Sequence, residues 1–343
     1  MNADRFEAIT RQYSSLRVAV VGDFCLDRYL EIDPARNEIS IETGLPVYNV
    51  TNVRAQPGGA GTVLNNLVAL GVGTLYPVSF AGEDGEGYEL CRALAAKPGV
   101  RMDSFLQTGD RHTFTYCKPL ILELDKSPRE LNRLDKKNWT PTPAALSDRL
   151  SQAVNSVAEK VDAFMLLGQV DVAETGVLTK PVLETLGGLA RAQPHRWILA
   201  DSRRGLSDFP PVVFKMNAAE LATLTGTKPS SAVADIAAVA VDLARRNGRP
   251  VFVTLAERGI VAAAPDGTSE HVPCVPVRGE IDIVGAGDSV SANLITALAA
   301  GATLREAMEL ANAAASIVVH QLGTTGSASV PQLRELLFGS QSA

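Results

Sequence analysis

Cysteine is scarce in this chain: four in 343 residues, Cys25, Cys91, Cys117 and Cys274, far apart and with no C-x-x-C pair. That argues against both a zinc site and a disulfide framework, and leaves them as reduced structural thiols. The four histidines, His112, His195, His271 and His320, lack metal-ligand spacing. There is no basic run and the net charge is -6, which argues against nucleic acid as a main partner, because backbone phosphates are held by clustered Lys and Arg. No segment reaches the ~18 unbroken apolar residues of a membrane helix, and the first 17 residues carry charges without an apolar h-region. A cytoplasmic protein with no membrane partner is the simplest inference. Neither a G-x-x-x-x-G-K-[ST] loop nor a G-x-G-x-x-G after the first strand occurs, so a P-loop kinase and a dinucleotide oxidoreductase are both unsupported.

What is present suits a globular core, with 46% hydrophobic and 20% charged residues. Residues 16–21 form a nearly continuous apolar run, as a strand buried on both faces requires, and similar runs recur at 163–167, 197–200, 212–216 and 251–255. Helical stretches at 143–160 and 231–246 alternate with them, with Thr142 and Pro143 read as cap and first position of the former. Thr303 to Glu306 reads as a capping box for a final long helix. This alternation predicts an α/β layered core with a mostly parallel sheet. Segments 31–57 and 107–133 break it with extended patterns and predict a small β-sheet lid inserted in a single domain over 1–338, with 339–343 as a flexible tail. An ordinary surface hairpin or a dimer contact explains the inserted strands comparably well.

The loop Asp282-Ile283-Val284-Gly285-Ala286-Gly287-Asp288 opens onto a long apolar helix. The first backbone N–H groups of a helix lack internal partners and the macrodipole adds positive charge, so anionic oxygens can be held there. Asp288 is placed to accept a proton from a hydroxyl attacking a phosphorus held by that loop. Taken alone, the loop is equally a capped helix whose aspartate complements the dipole.

Three further motifs share its company in order: Gly22-Asp23 with Asp27 after the first strand, Pro57-Gly58-Gly59 opening a helix, and Asn217-Ala218-Ala219-Glu220. With these, the whole chain resembles the PfkB (ribokinase-like) carbohydrate kinase family, and its phrases at 20–23, 131–135 and 311–324 are similar to the heptose-phosphate kinase branch. The resemblance implies a ribokinase-like α/β/α fold and ATP-dependent phosphoryl transfer to a sugar or sugar phosphate. It makes Asp288 the base, with the backbone of Gly285, Ala286 and Gly287 as anion hole. It places Asp27, Gly58, Gly59 and Thr62 at the sugar, with Asp23 sharing that role or serving as a strand-end turn residue. Thr254, Gly259 and Asn312 fall on the nucleotide side. Asn217 and Glu220 would organise Mg²⁺ through water, or else are a helix cap and a first-turn carboxylate; Asp282 belongs to a monovalent-cation (K⁺) site in many relatives. A homodimer through the lid is also implied.

Three residues depart from the family pattern: Ile283 for threonine, Ala256 for glycine in the nucleotide turn, and Thr62 for the sugar-binding asparagine. An alanine forced to positive φ there would be strained. A phosphorylated acceptor needs cations, for which Arg111, Lys118, Arg203 and Arg204 are candidates, each equally readable as a solvated surface charge. The departures keep two other functions open: a catalytically silent sugar- or nucleotide-binding regulator, and a nucleoside kinase.

Overall fold

A computed structural model describes residues 1–276 and 279–339 of the chain. Its centre is a nine-stranded sheet whose order is Ser269–Val272, Ile260–Ala263, Val251–Thr254, Val213–Asn217, Trp197–Ser202, Ala163–Gly168, Arg17–Gly22, Thr74–Gly82 and Phe105–Thr108. The first two strands in that order are antiparallel to their neighbours, and the remaining pairings are parallel. The apolar run at the start of the chain has its reason here. Val18 and Val20 face one core, packed by the helices Ala60–Ala69, Ala286–Ala299 and Leu304–Val318. Ala19 and Val21 face the other, packed by Ala144–Ala158, Lys180–Ala192 and Val233–Asn247. A strand covered on both sides gains from apolar residues at every position, at roughly 1.5–3 kcal/mol for each large side chain fully buried.

The helix expected from 143 starts one residue later, at Ala144, with Pro143 as its cap. Thr142 turns its hydroxyl to the Gly176 carbonyl instead, at 2.7 Å. The capping box at Thr303 and Glu306 forms as read. Gly339 caps the last helix, Val330–Phe338, and the rest of the expected tail, 340–343, lies outside the described residues.

The segments expected to form a lid contribute to a second sheet, ordered Leu134–Lys136, Thr115–Ile121, Phe24–Ile32 and Val50–Gly59, with Arg129–Glu130 also paired to Thr115–Ile121. It reaches closer to the core than the sequence segments suggest. Its strand Phe24–Ile32 starts directly after Asp23, because Phe24 and Leu26 continue the apolar core outward. Gln107 and Thr108, by contrast, end the edge strand of the main sheet. Period-2 alternation puts Asp27, Tyr29 and Glu31 opposite Gln56, Arg54 and Asn52 on one lid face. The lid is tied to the core by the Gln56 amide donating to the Thr325 hydroxyl at 2.7 Å. Asp23, Asp201, Asn217 and Thr254 all stand at the C-terminal ends of parallel strands, where open α/β sheets form their ligand crevice.

Candidate active site

The helix Ala286–Ala299 begins where the loop predicts, with Gly285 as N-cap in the left-handed region and Asp288 in the first turn. The Ala286 N–H turns back to the Ile283 carbonyl at 3.2 Å. That leaves the N–H groups of Gly287 and Asp288 as the first-turn donors without a helical acceptor. Asp288 is partly accessible from the cleft but crowded by protein, and its carboxyl is pushed up to about 7. Burial is the largest cause, the charges of Asp201 and Asp27 add to it, and Lys215 opposes it. A carboxyl poised there is half ionised near neutrality, as a general base requires.

Beneath the loop lies a group that no motif announced. Lys215, on the strand Val213–Asn217, is 6% exposed, and its Nζ donates to Asp201 Oδ2 at 2.8 Å. Ser291, one turn into the helix, donates to the same oxygen at 2.9 Å and lies 3.1 Å from the Gly287 carbonyl. Burial works against the lysine's charge, but Asp201, by charge and by hydrogen bond, then Asp288 and Glu220, outweigh it and raise its pKa. Gly287 suits the fit: a Cβ there would stand 3.3 Å from Nζ, a tight contact that the missing side chain avoids. A signal was available in the sequence. A lysine inside an apolar strand buried on both faces needs a partner.

Asn217 and Glu220 cap the helix Ala218–Thr225 reciprocally: Asn217 Oδ1 accepts the Glu220 N–H at 2.9 Å, and Glu220 Oε2 accepts the Asn217 N–H at 2.7 Å. Among the described residues no group of three or more His, Cys, Asp or Glu could hold a metal. The carboxylate at this helix start is that of Glu220, and a single carboxylate suits Mg²⁺ bound mainly through phosphate and water. Asp282 accepts the Val284 N–H at 3.0 Å and the Gly323 N–H at 3.2 Å. It staples the loop to the segment after Leu304–Val318 through these two hydrogen bonds.

On the other side of Gly287 a cavity of about 540 Å³ is lined by Asn217, Thr254, Gly259, Asn312 and largely apolar neighbours including Ile260, Ile283 and Val290. Thr254 lies 3.4 Å from the Met216 carbonyl, and Asn312 pins the Val272 and Pro273 carbonyls at 3.0 and 3.2 Å, fixing the cavity wall. Ala256 does take the left-handed conformation, with φ 51°, at a cost of roughly 1–2 kcal/mol for an L-residue. The turn thus holds a left-handed residue at the expense of strain.

Asp27 stands on the second sheet. Asp27 is 5% exposed; burial pushes its carboxyl up, and Lys118 and Arg133 pull against that. Lys118 Nζ lies 4.0 Å from Asp27 Oδ2 and 4.9 Å from the Tyr29 ring, while Arg133 lies over Tyr116 at 4.8 Å and Arg54 over Tyr29 at 4.8 Å. Gly58 is the one residue that fits against Asp27, since a Cβ there would sit 2.6 Å from its carboxyl carbon. Gly59 caps the helix Ala60–Ala69 and Thr62 is buried in its first turn.

Two candidates are employed elsewhere. Asp23 is buried with both oxygens accepting backbone N–H groups: Gln169 at 2.7 Å, Val170 at 3.2 Å and Val177 at 2.7 Å. It clamps the loops after neighbouring strands, as the turn-residue alternative has it. Arg111 is buried against the Thr140 and Thr175 carbonyls, at 2.8 and 2.9 Å, and is a structural cation. Arg203 and Arg204 face Asp171 and Asp208 at 3.7 and 3.8 Å.

Comparison with known proteins gives a profile match over residues 16–331 to the pfkB family carbohydrate kinases. Among curated proteins, the bifunctional protein HldE of Azorhizobium caulinodans is 33% identical over 308 residues, covering 90% of this chain and 61% of the relative. That of Rhodospirillum rubrum is 34% identical over 317 residues, covering 92% and 61%. The chain thus spans about three fifths of the length of these relatives. Among solved structures, Arabidopsis thaliana ribokinase with ribose and ATP superposes with a TM-score of 0.67 at 18% identity, covering 94% of this chain and 99% of the ribokinase. Escherichia coli phosphofructokinase-2 with potassium gives 0.69 at 18% identity, covering 94% and 98%. These two likenesses establish the ribokinase-like fold.

Proposed function

This chain belongs to the pfkB family of carbohydrate kinases, and from that premise we propose that it transfers the terminal phosphoryl group of ATP to a hydroxyl of a sugar phosphate. The observation that carries the reading is the position of Asp288, with a carboxyl poised at about 7 between the nucleotide-sized cavity and the lid that presents Asp27. Asp27 and Asp288 are close enough for one charge to raise the other's pKa, so an acceptor hydroxyl held by Asp27 lies within the field of the base. In this reading Asp27 accepts hydrogen bonds from two sugar hydroxyls, Asp288 removes the proton of the attacking one, and the Gly287 and Asp288 N–H groups hold the phosphoryl oxygens. Glu220, oriented by Asn217, would carry Mg²⁺, which supplies charge neutralisation of the nucleotide phosphates when bound.

A phosphorylated acceptor is favoured over a neutral sugar because Lys118 lies beside Asp27 and over Tyr29, and Arg133, itself paired with Asp135, acts on Asp27 from its place over Tyr116. Similarity to the heptose-phosphate branch and to the HldE proteins points the same way. The test is ADP release with Mg²⁺ and ATP across hexoses, heptoses, their monophosphates and nucleosides. Sugar monophosphates are expected to turn over at least about tenfold better in kcat/KM than their neutral counterparts, the value of one well-placed charge contact. Turnover of nucleosides alone would make the protein a nucleoside kinase, and binding without turnover a silent regulator.

The lid also offers a surface for a second copy. Val50–Gly59 is its edge strand, and Val50 and Val53 are exposed on it. An open apolar edge of this kind pairs readily with another chain. Light scattering is expected to show a dimer that Val53→Lys weakens; a monomer at all working concentrations would remove the lid contact from the account.

A further inference from the structure

We propose that Lys215 is a further catalytic residue: its ammonium, clamped beneath Gly287 by Asp201 and Ser291, contacts the phosphoryl group in transit and balances its charge. The inference rests on the kinase reading and adds to it a cation that none of the four sequence motifs contains.

The geometry is that of a fixed counter-charge. Nζ is held at 2.8 Å by Asp201, whose acceptor oxygen is itself held at 2.9 Å by Ser291, so the ammonium is positioned by two elements of the core, the strand Trp197–Ser202 and the helix Ala286–Ala299. An ammonium has three donors, and the bond to Asp201 takes one. Nζ lies under the loop that forms the anion hole, 3.3 Å from where a Cβ on Gly287 would stand. Asp201, Asp288 and Glu220 all act on it electrostatically, so without it an incoming phosphoryl group would meet three carboxylates and no buried cation. A pair serving stability alone has no reason to lie there, since apolar residues of similar volume do that work at least as well.

Two variants test this, Lys215→Met and the charge-neutral Lys215→Met/Asp201→Asn, the second guarding against misfolding from an unpaired buried Asp201. Calorimetric titration with ATP and with ADP reads the contact without requiring an acceptor. ATP affinity is expected to fall about tenfold or more in both variants while ADP affinity changes less than about twofold, and kcat to fall about 10²- to 10³-fold, the loss typical of one preorganised donor. If the double variant regains wild-type kcat and ATP affinity, Lys215 only neutralises Asp201 and the proposal fails. Equal weakening of ATP and ADP overturns it as well. Failure of the kinase reading looks different: wild-type protein would release no ADP with any acceptor, whatever the variants do.

Discussion

Asp288→Asn is expected to fold normally and lose about 10²- to 10⁴-fold in kcat, the share of the rate that a positioned base contributes, with KM for ATP nearly unchanged. The amide keeps the shape of the first helical turn but cannot accept the hydroxyl proton. Its pH behaviour separates chemistry from folding. The wild-type carboxyl titrates at about 7 against an ordinary 3.8, raised by burial, Asp201 and Asp27 and opposed by Lys215. Wild-type kcat is therefore expected to climb with pH and level off above about 7, and the residual rate of the variant to lack that limb. Stability runs the other way. Between about 4 and 7 the folded protein keeps a proton that the unfolded chain has released, so stability falls across that window and the penalty persists above it. Asp288→Asn removes the penalty and is expected to melt higher than wild type at pH 8 but alike at pH 4. A variant that melts lower at pH 8, or retains kcat, contradicts the assignment. Such a trade of stability for activity is usual where a site holds a charge it would rather neutralise.

Asp27→Ala is expected to lower kcat/KM for the acceptor about 10²- to 10⁴-fold, taking two hydrogen bonds to a charged group at about 1.5–3 kcal/mol each, while ATP affinity holds. The selectivity follows from the architecture. Asp27 belongs to the strand Phe24–Ile32 of the second sheet, whereas the cavity proposed for the nucleotide is built from Asn217 and residues beyond it. A second readout distinguishes the loss of a contact from a disturbed lid. Asp27 is one of the charges that raise the Asp288 pKa, so its removal moves the acid limb of kcat to lower pH. Loss of ATP binding in step with acceptor binding would show instead that the whole cleft had collapsed.

Much of this was legible in the sequence because it rests on local rules. The apolar runs of Arg17–Gly22 and Ala163–Gly168 are what a doubly covered strand demands, and the glycine loop before Ala286–Ala299 could serve few purposes other than a helix N-terminus. The capping box of Thr303 and Glu306 was equally local. What escaped depends on contacts far apart in the chain. Asp23 reads equally as a sugar ligand and as a strand-end turn residue until Gln169, Val170 and Val177 are seen to donate to it. Arg111 reads like a surface cation until its carbonyl partners at Thr140 and Thr175 appear. The join of Lys215 to Asp201 crosses neighbouring parallel strands, a pairing for which the sequence offers only the oddity of a charge among Val213, Phe214 and Met216. The inner limit of the lid was blurred for the same reason, since Phe24 and Leu26 serve the core while Asp27 serves the cleft.

Phosphorus NMR of the reaction mixture tests phosphoryl transfer to a sugar phosphate, with Asp288 as base, most directly. Wild-type protein with Mg²⁺, ATP and a heptose or hexose monophosphate is expected to produce a new phosphoester resonance in step with ADP, and Asp288→Asn almost none. ADP appearing with inorganic phosphate and no new ester, or an equal ester signal from Asp288→Asn, would contradict it.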